Sequence, residues 1–183
     1  RNKKNSSSKV AVIAAAYYYV DNISVTVIDE NNPCDCAPTD PTEGYSKTVY
    51  QKAINISEDM APAKKIESLQ VFFGFGKTDL TKAGEDVLNI IVKQLKDNPN
   101  MKLQINGFSD AAEDQAAEDQ QFFQGMDSKR VNAIFTYLTE KGIGETRLIA
   151  APQGSAEQSS EITTSDEDDI KQAKNRRVEF KVR

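Results

Sequence analysis

The chain has 183 residues, 38% of them apolar, and a formal net charge of −5 at pH 7. That length suits one ordinary domain plus a smaller piece, and the acidic balance argues against a nucleic-acid footprint, which needs a basic face. Histidine is absent, which removes the commonest general base, every His-based triad and the commonest metal ligand.

Residues 1–8 are basic and polar but lack the pattern of a signal peptide. The apolar stretch 10–19 lacks a cleavage pattern, so the chain reads as the mature portion or a fragment of something longer. No run of about 18 apolar residues occurs, so no membrane span is expected. Residues 9–29 read as strands over 10–13, 17–20 and 23–28. In the last of these Ile23, Val25 and Val27 alternate with Ser24, Thr26 and Ile28. One or two strands do not stand alone in water, so they complete an upstream sheet or add to the later domain. The wording Tyr18-Tyr19-Val20-Asp21-Asn22-Ile23-Ser24-Val25-Thr26 resembles the closing strand of jelly-roll carbohydrate-binding modules.

Residues 30–64 read as a linker punctuated by Pro33, Pro38, Pro41 and Pro62. The two cysteines fall there, in Cys34-Asp35-Cys36. A bridge across one residue is strained, and without histidine or further cysteine a protein-only zinc site is not expected. They read as loop thiols, with a redox pair or an intermolecular bridge as the alternatives.

Residues 65–183 read as an α/β unit. An apolar strand is expected over 66–75. Thr81 can cap a helix carrying Ala83, Val87, Leu88, Ile91 and Leu95 on one face, ended by Asn98-Pro99-Asn100. Leu103, Ile105 and Gly107 alternate in a second strand. A second helix carries Arg130 and stops at Gly142, a left-handed cap position. Residues 148–151 give a short strand, an acidic loop containing Asp166-Glu167-Asp168-Asp169 follows, and Val178, Phe180 and Val182 alternate with charges in a closing strand. Ala111-Ala112-Glu113-Asp114-Gln115 is repeated at once as Ala116-Ala117-Glu118-Asp119-Gln120. This is too short for a repeat fold and reads as a duplication in a surface loop or helix end. Its carboxylates lack EF-hand spacing, and Glu113, Asp114, Glu118 and Asp119 read as a charged rim.

Arg130 lies four residues from both Met126 and Ile134, which sets a permanent cation on or beside the core-facing side of its helix. A buried guanidinium needs an anion, because an unpaired buried charge costs several kcal/mol, roughly. That anion belongs either to the protein or to a ligand.

Four segments stand in order: Val71-Phe72-Phe73-Gly74-Phe75-Gly76-Lys77-Thr78-Asp79-Leu80, Ile105-Asn106-Gly107-Phe108-Ser109-Asp110, Met126-Asp127-Ser128-Lys129-Arg130-Val131 and Asn175-Arg176-Arg177-Val178-Glu179. With Lys141-Gly142-Ile143 and Arg147-Leu148, they resemble the OmpA-like C-terminal domain, the peptidoglycan-associating module of bacterial envelope proteins, over about residues 65–183. The resemblance implies an α+β fold with a βαβαββ-type mixed sheet and helices on one face, preceded here by the strand-rich segment 1–29 and the linker 30–64. It also implies that Asp110 and Arg130 hold the diaminopimelate of the peptidoglycan stem peptide. A zwitterionic end needs a carboxylate for its ammonium and a guanidinium fork for its carboxylate. Ser109 keeps a hydroxyl at the family's threonine position. Arg176 is a further candidate for a ligand carboxylate, although alternation sets Arg176 and Arg177 on the solvent face or strand start. The competing reading is that Asp110 and Arg130 pair with each other and only fix the fold.

The pattern departs from the family at Phe108, where a histidine is usual, at Phe122-Phe123 in place of Tyr-Asn, and at Gly74 and Gly76 in place of acidic residues. The glycines loosen the strand end or admit a ligand backbone. Removing one copy of the pentapeptide restores the family's spacing between Asp110 and Arg130, so the duplication is expected to enlarge a loop over the site. The resemblance implies a non-catalytic anchor in the periplasm, associated with the outer membrane, with peptidoglycan as partner and no cofactor. The alternative is the same fold with a degenerate site, serving protein interaction or assembly through an aromatic patch of Phe108, Phe122 and Phe123. An enzyme has little support, because no carboxylate pair stands out from the surface charge.

Overall fold

The computed structural model describes residues 40–183, which form one compact unit from Asp40 to Arg183. The expected strands of 9–29, the jelly-roll wording and the Cys34/Cys36 pair lie outside the described residues.

The unit opens with a turn. The Asp40 carboxylate accepts the Thr42 amide at 2.9 Å and the Thr42 hydroxyl at 2.7 Å, so a side chain shapes the turn. The chain then runs along the body. Tyr45 stacks on Phe75 at 4.1 Å between ring centroids, and Tyr50 meets Phe72 edge-on at 4.8 Å. Helix α1, Pro62–Glu67, starts with proline in its first turn, where no amide is needed. The expected strand of 66–75 is thus cut at both ends. Ile66 is buried from α1, and β1 covers only Gln70–Phe72. Beyond it, Gly74 accepts the Lys77 amide in a turn.

Helix α2, Lys82–Asp97, is capped as the sequence predicts. Thr81 accepts the Gly84 amide, and Val87, Leu88, Ile91, Val92 and Leu95 are buried. At its exit, Arg147 donates to the carbonyls of Leu95, Asn98 and Met101, each at 2.9 Å. The Leu95 and Asn98 carbonyls belong to the last turn and cap of α2, where no further intrahelical donor follows. Strand β2, Leu103–Phe108, leads into α3, Ala111–Asp119, then α4, Met126–Glu140. Gly142 ends α4 at φ +87°, with the Ile143 amide returning to Leu138, as a left-handed cap requires. Strand β3, Leu148–Gly154, follows.

The expected acidic loop contains a helix, α5, Asp168–Asn175. Its acidic first turn suits the positive end of a helix. Buried Lys174 anchors it by donating to Asp166 at 2.6 Å and to the Glu161 carbonyl at 2.8 Å. Strand β4, Arg177–Val182, closes the chain.

The sheet is mixed, in the order β1-β4-β2-β3. β4 is antiparallel to both neighbours, and β3 runs parallel to β2. Val71, Leu103, Ile105, Val178 and Phe180 pack with Ile66 of α1, the α2 stripe, and Val131, Ile134 and Leu138 of α4 in one apolar core. Gln70, Gln104, Asn106, Glu179 and Lys181 alternate onto the opposite face. α4 crosses β2 at Gly107. A methyl there would lie 2.4 Å from the Asp127 carbonyl oxygen and 2.5 Å from Val131, so only glycine allows the approach.

Candidate functional site

Four elements meet at the C-terminal end of β2. β2 delivers Phe108, Ser109 and Asp110; α3 supplies Glu113; α4 supplies Arg130; and the junction of α5 with β4 supplies Arg176 and Arg177. Asp110 caps α3. Its Oδ1 accepts the Glu113 amide at 2.7 Å, and Glu113 Oε2 accepts the Asp110 amide at 3.4 Å. This reciprocal capping box needs an acid three residues after the cap, and Asp110-Ala111-Ala112-Glu113 provides it.

The box aims the Glu113 carboxylate at Arg130. Arg130 Nη1 donates to Glu113 Oε2 at 2.8 Å and Nη2 to Oε1 at 2.5 Å. The remaining donors reach main-chain carbonyls: Phe108 at 3.0 Å, Gly74 at 3.2 Å and Lys77 at 3.3 Å. A guanidinium has five N–H donors, so Arg130 is saturated from within. Glu113 Oε1 also accepts the Gly76 amide at 2.8 Å. Both side chains of this fork-to-fork pair are 0% exposed.

A second buried pair lies beside it. Arg176 Nη1 donates to Asp110 Oδ2 at 2.6 Å, its Nη2 to the Thr48 carbonyl at 2.7 Å and its Nε to the Phe73 carbonyl at 3.3 Å. The Ser109 hydroxyl donates to Asp114 Oδ1 at 3.0 Å, and the Ser155 hydroxyl bonds the other oxygen of Asp114. Ser109, Asp110, Arg130 and Arg176 are therefore all brought together, and all are buried.

Several sequence expectations change here. Asp110 and Arg130 do not pair with each other; each takes the other pair's missing charge, Arg130 with Glu113 and Asp110 with Arg176. Glu113 is not part of a charged rim. It is fully buried, while Asp114, Glu118 and Asp119 are exposed. The duplicated pentapeptide is helix α3. Five residues turn a helix by about 500°, leaving equivalent positions roughly 140° apart, so Glu113 points in and its copy Glu118 points out. Arg176 and Arg177 are not on a solvent face. Arg177 is buried over the Phe108 ring at 3.8 Å from its centroid and donates to Glu179 at 2.6 Å. Phe108 is thus a stacking surface for a cation.

The aromatic patch divides. Phe108 and Phe123 are buried, and Phe122 is 48% exposed. Phe123 packs with Phe75 and Tyr45 and lies over Gly76. Gly76 has φ +61°, and a methyl there would fall 2.5 Å from the Phe123 ring. That conformation aims the Gly76 amide at Glu113. Sequence reasoning missed Glu113, although the S/T/D-x-x-E spacing after a strand is a readable capping signal.

A four-stranded mixed sheet with α1, α2 and α4 packed on one face, and with buried charge pairs at the C-terminal end of its second strand, defines an OmpA-like α+β domain. The sequence matches the OmpA family over residues 72–176, and the chain belongs to that family. The matched stretch contains Asp110, Glu113, Arg130 and Arg176. Among solved structures, the peptidoglycan-associated lipoprotein from Burkholderia pseudomallei is similar at 20% identity and a TM-score of 0.51, covering 62% of this chain and 89% of that one. The OmpA-like domain of FopA1 from Francisella tularensis is similar at 20% identity and a TM-score of 0.49, covering 62% and 72%. The cell wall anchor of the T6SS from Pseudomonas aeruginosa is similar at 17% identity and a TM-score of 0.45, covering 61% and 73%. No curated protein matches the sequence.

Proposed function

We propose that this chain carries a non-catalytic peptidoglycan-binding domain that anchors an envelope protein in the periplasm, at the outer membrane, to the cell wall. Family membership supports the reading, as does the likeness to a structure described as a peptidoglycan-associated lipoprotein. The observation that carries it is a seat already shaped for a carboxylate. Glu113 lies between the Arg130 fork and the amides of Gly76 and Asp110. Arg130 and Arg176 suit the carboxylates of a diaminopimelate side chain, and Asp110 with Ser109 suits its ammonium. In this reading the ligand takes the place of Glu113.

A second reading has one specific observation in its favour. All five donors of Arg130 are already used, as expected of a closed site in a domain kept for protein interaction or assembly. Co-sedimentation with purified peptidoglycan separates the two. Wall binding predicts that the wild-type chain pellets with diaminopimelate-type peptidoglycan, is released by soluble diaminopimelate and ignores lysine-type peptidoglycan. Equal pelleting with both types refutes diaminopimelate recognition while keeping wall binding; no pelleting with either refutes both and leaves the assembly reading.

A further inference from the structure

We propose that α3 is a built-in plug, with Glu113 occupying from within the chain a carboxylate-binding cradle that also accepts a free carboxylate. The cradle is formed by the two Arg130 Nη groups and the Gly76 amide, with the Asp110 amide at its edge. Its principal donors, the Arg130 fork and the Gly76 amide, do not depend on α3. Arg130 is held by the carbonyls of Phe108, Gly74 and Lys77, which belong to β2 and the loop after β1. The Gly76 amide is fixed by a left-handed backbone under Phe123. Once the Glu113 side chain is removed, a fork and an amide still point at one spot.

The plug itself is lightly fastened. Only Glu113 and Ala116 of α3 are buried. Ala112 and Ala117 are partly buried against the Phe75 and Phe123 cluster. A helix normally docks through a stripe of large apolar side chains; this one offers alanine methyls, the Glu113 ion pair, and the clasp of Asp114 to Ser109 and Ser155. The Glu113 carboxylate is thus the principal group seating α3, and a carboxylate arriving from outside competes with it for the same donors. The inference stands on this geometry whether or not the outside ligand is a wall peptide.

Chemical rescue tests it. Glu113→Ala excises a CH2–COO⁻ group, which acetate replaces. Thermal unfolding is followed in sodium acetate and in sodium chloride at matched ionic strength and pH. The variant should melt roughly 10 °C below wild type in chloride, as for loss of one partner of a buried pair, and its midpoint should climb with acetate concentration as ligand linkage requires. The wild-type midpoint should be the same in both salts. If Glu113→Ala does not fold in chloride, recovery of folded protein on dilution from urea into acetate supports the cradle in the same way. Equal behaviour in the two salts, folded or unfolded, overturns the proposal. Because only acetate is used, the result is independent of peptidoglycan co-sedimentation, and either reading can fail without the other.

Discussion

Replacing Arg130 with methionine is the sharpest test of the charge arrangement. The substitution keeps an unbranched stem but removes the fork. Glu113 then stays fully buried, with only the Gly76 and Asp110 amides as donors. Breaking a buried pair from one side costs about 3–5 kcal/mol. The carbonyls of Phe108, Gly74 and Lys77 also lose a donor, at roughly 0.5–1.5 kcal/mol for each bond not remade. With one of these three bonds not remade, a loss of about 4–6 kcal/mol follows, which in a unit of this size lowers the midpoint by roughly 10–20 °C. The double variant Arg130→Met/Glu113→Leu removes both charges, and apolar replacement of a buried pair is often neutral. It should be more stable than Arg130→Met alone, with a coupling of about 2 kcal/mol or more. Urea unfolding followed by circular dichroism, with the slope unchanged, measures both variants and the Glu113→Leu single. Singles that each cost under about 1 kcal/mol and simply add would mean that Arg130 and Glu113 are not a coupled buried pair.

Asp110→Asn should keep the helix cap, since asparagine caps well, yet strand Arg176 without its anion. A loss of about 3 kcal/mol in urea unfolding is expected, and Asp110→Ala should cost about 1 kcal/mol more. Gly76→Ala should cost more in thermal unfolding than Gly142→Ala. Both glycines have positive φ, but only at Gly76 would the methyl meet a ring, whereas at Gly142 nothing lies within 4 Å; equal losses would mean that Phe123 moves freely aside. Hydrogen bonds from the Thr42 hydroxyl and amide, the largest causes, lower the Asp40 pKa from 3.8 to about 2, with Lys77 and Lys47 adding to the effect. A depressed carboxylate contributes stability that is present above its unfolded pKa and lost as pH falls through its folded one. NMR should therefore place the Asp40 midpoint near 2, and Thr42→Val should raise it. Deleting residues 116–120 keeps Asp110 and Glu113 but removes Ala116 from beneath Phe75 and Phe123. Calorimetry should show unfolding that is still cooperative, with a lower midpoint; loss of cooperativity would mean that the whole of α3 is needed for the fold.

The elements whose signals are local were legible in the amino-acid order alone. Thr81 before an amphipathic stripe sets the start of α2, Gly142 sets the end of α4, and alternation marks β2 and β4. Their order with the motif segments was enough to indicate the OmpA family. Weak or competing local signals misled. The apolar run 66–75 mixes the end of a helix, three strand residues and a glycine turn, and the charges that favour α5 also read as a loop. Which charge meets which was settled by packing between distant segments. A buried cation needs an anion, but many carboxylates in the chain could serve, and spacing alone does not choose among them. The choice of Glu113 for Arg130 and Asp110 for Arg176 depends on the capping box turning one acid inward and on β4 bringing Arg176 beside the end of β2. Both are consequences of packing between segments distant in sequence, where desolvation leaves no charge unpaired.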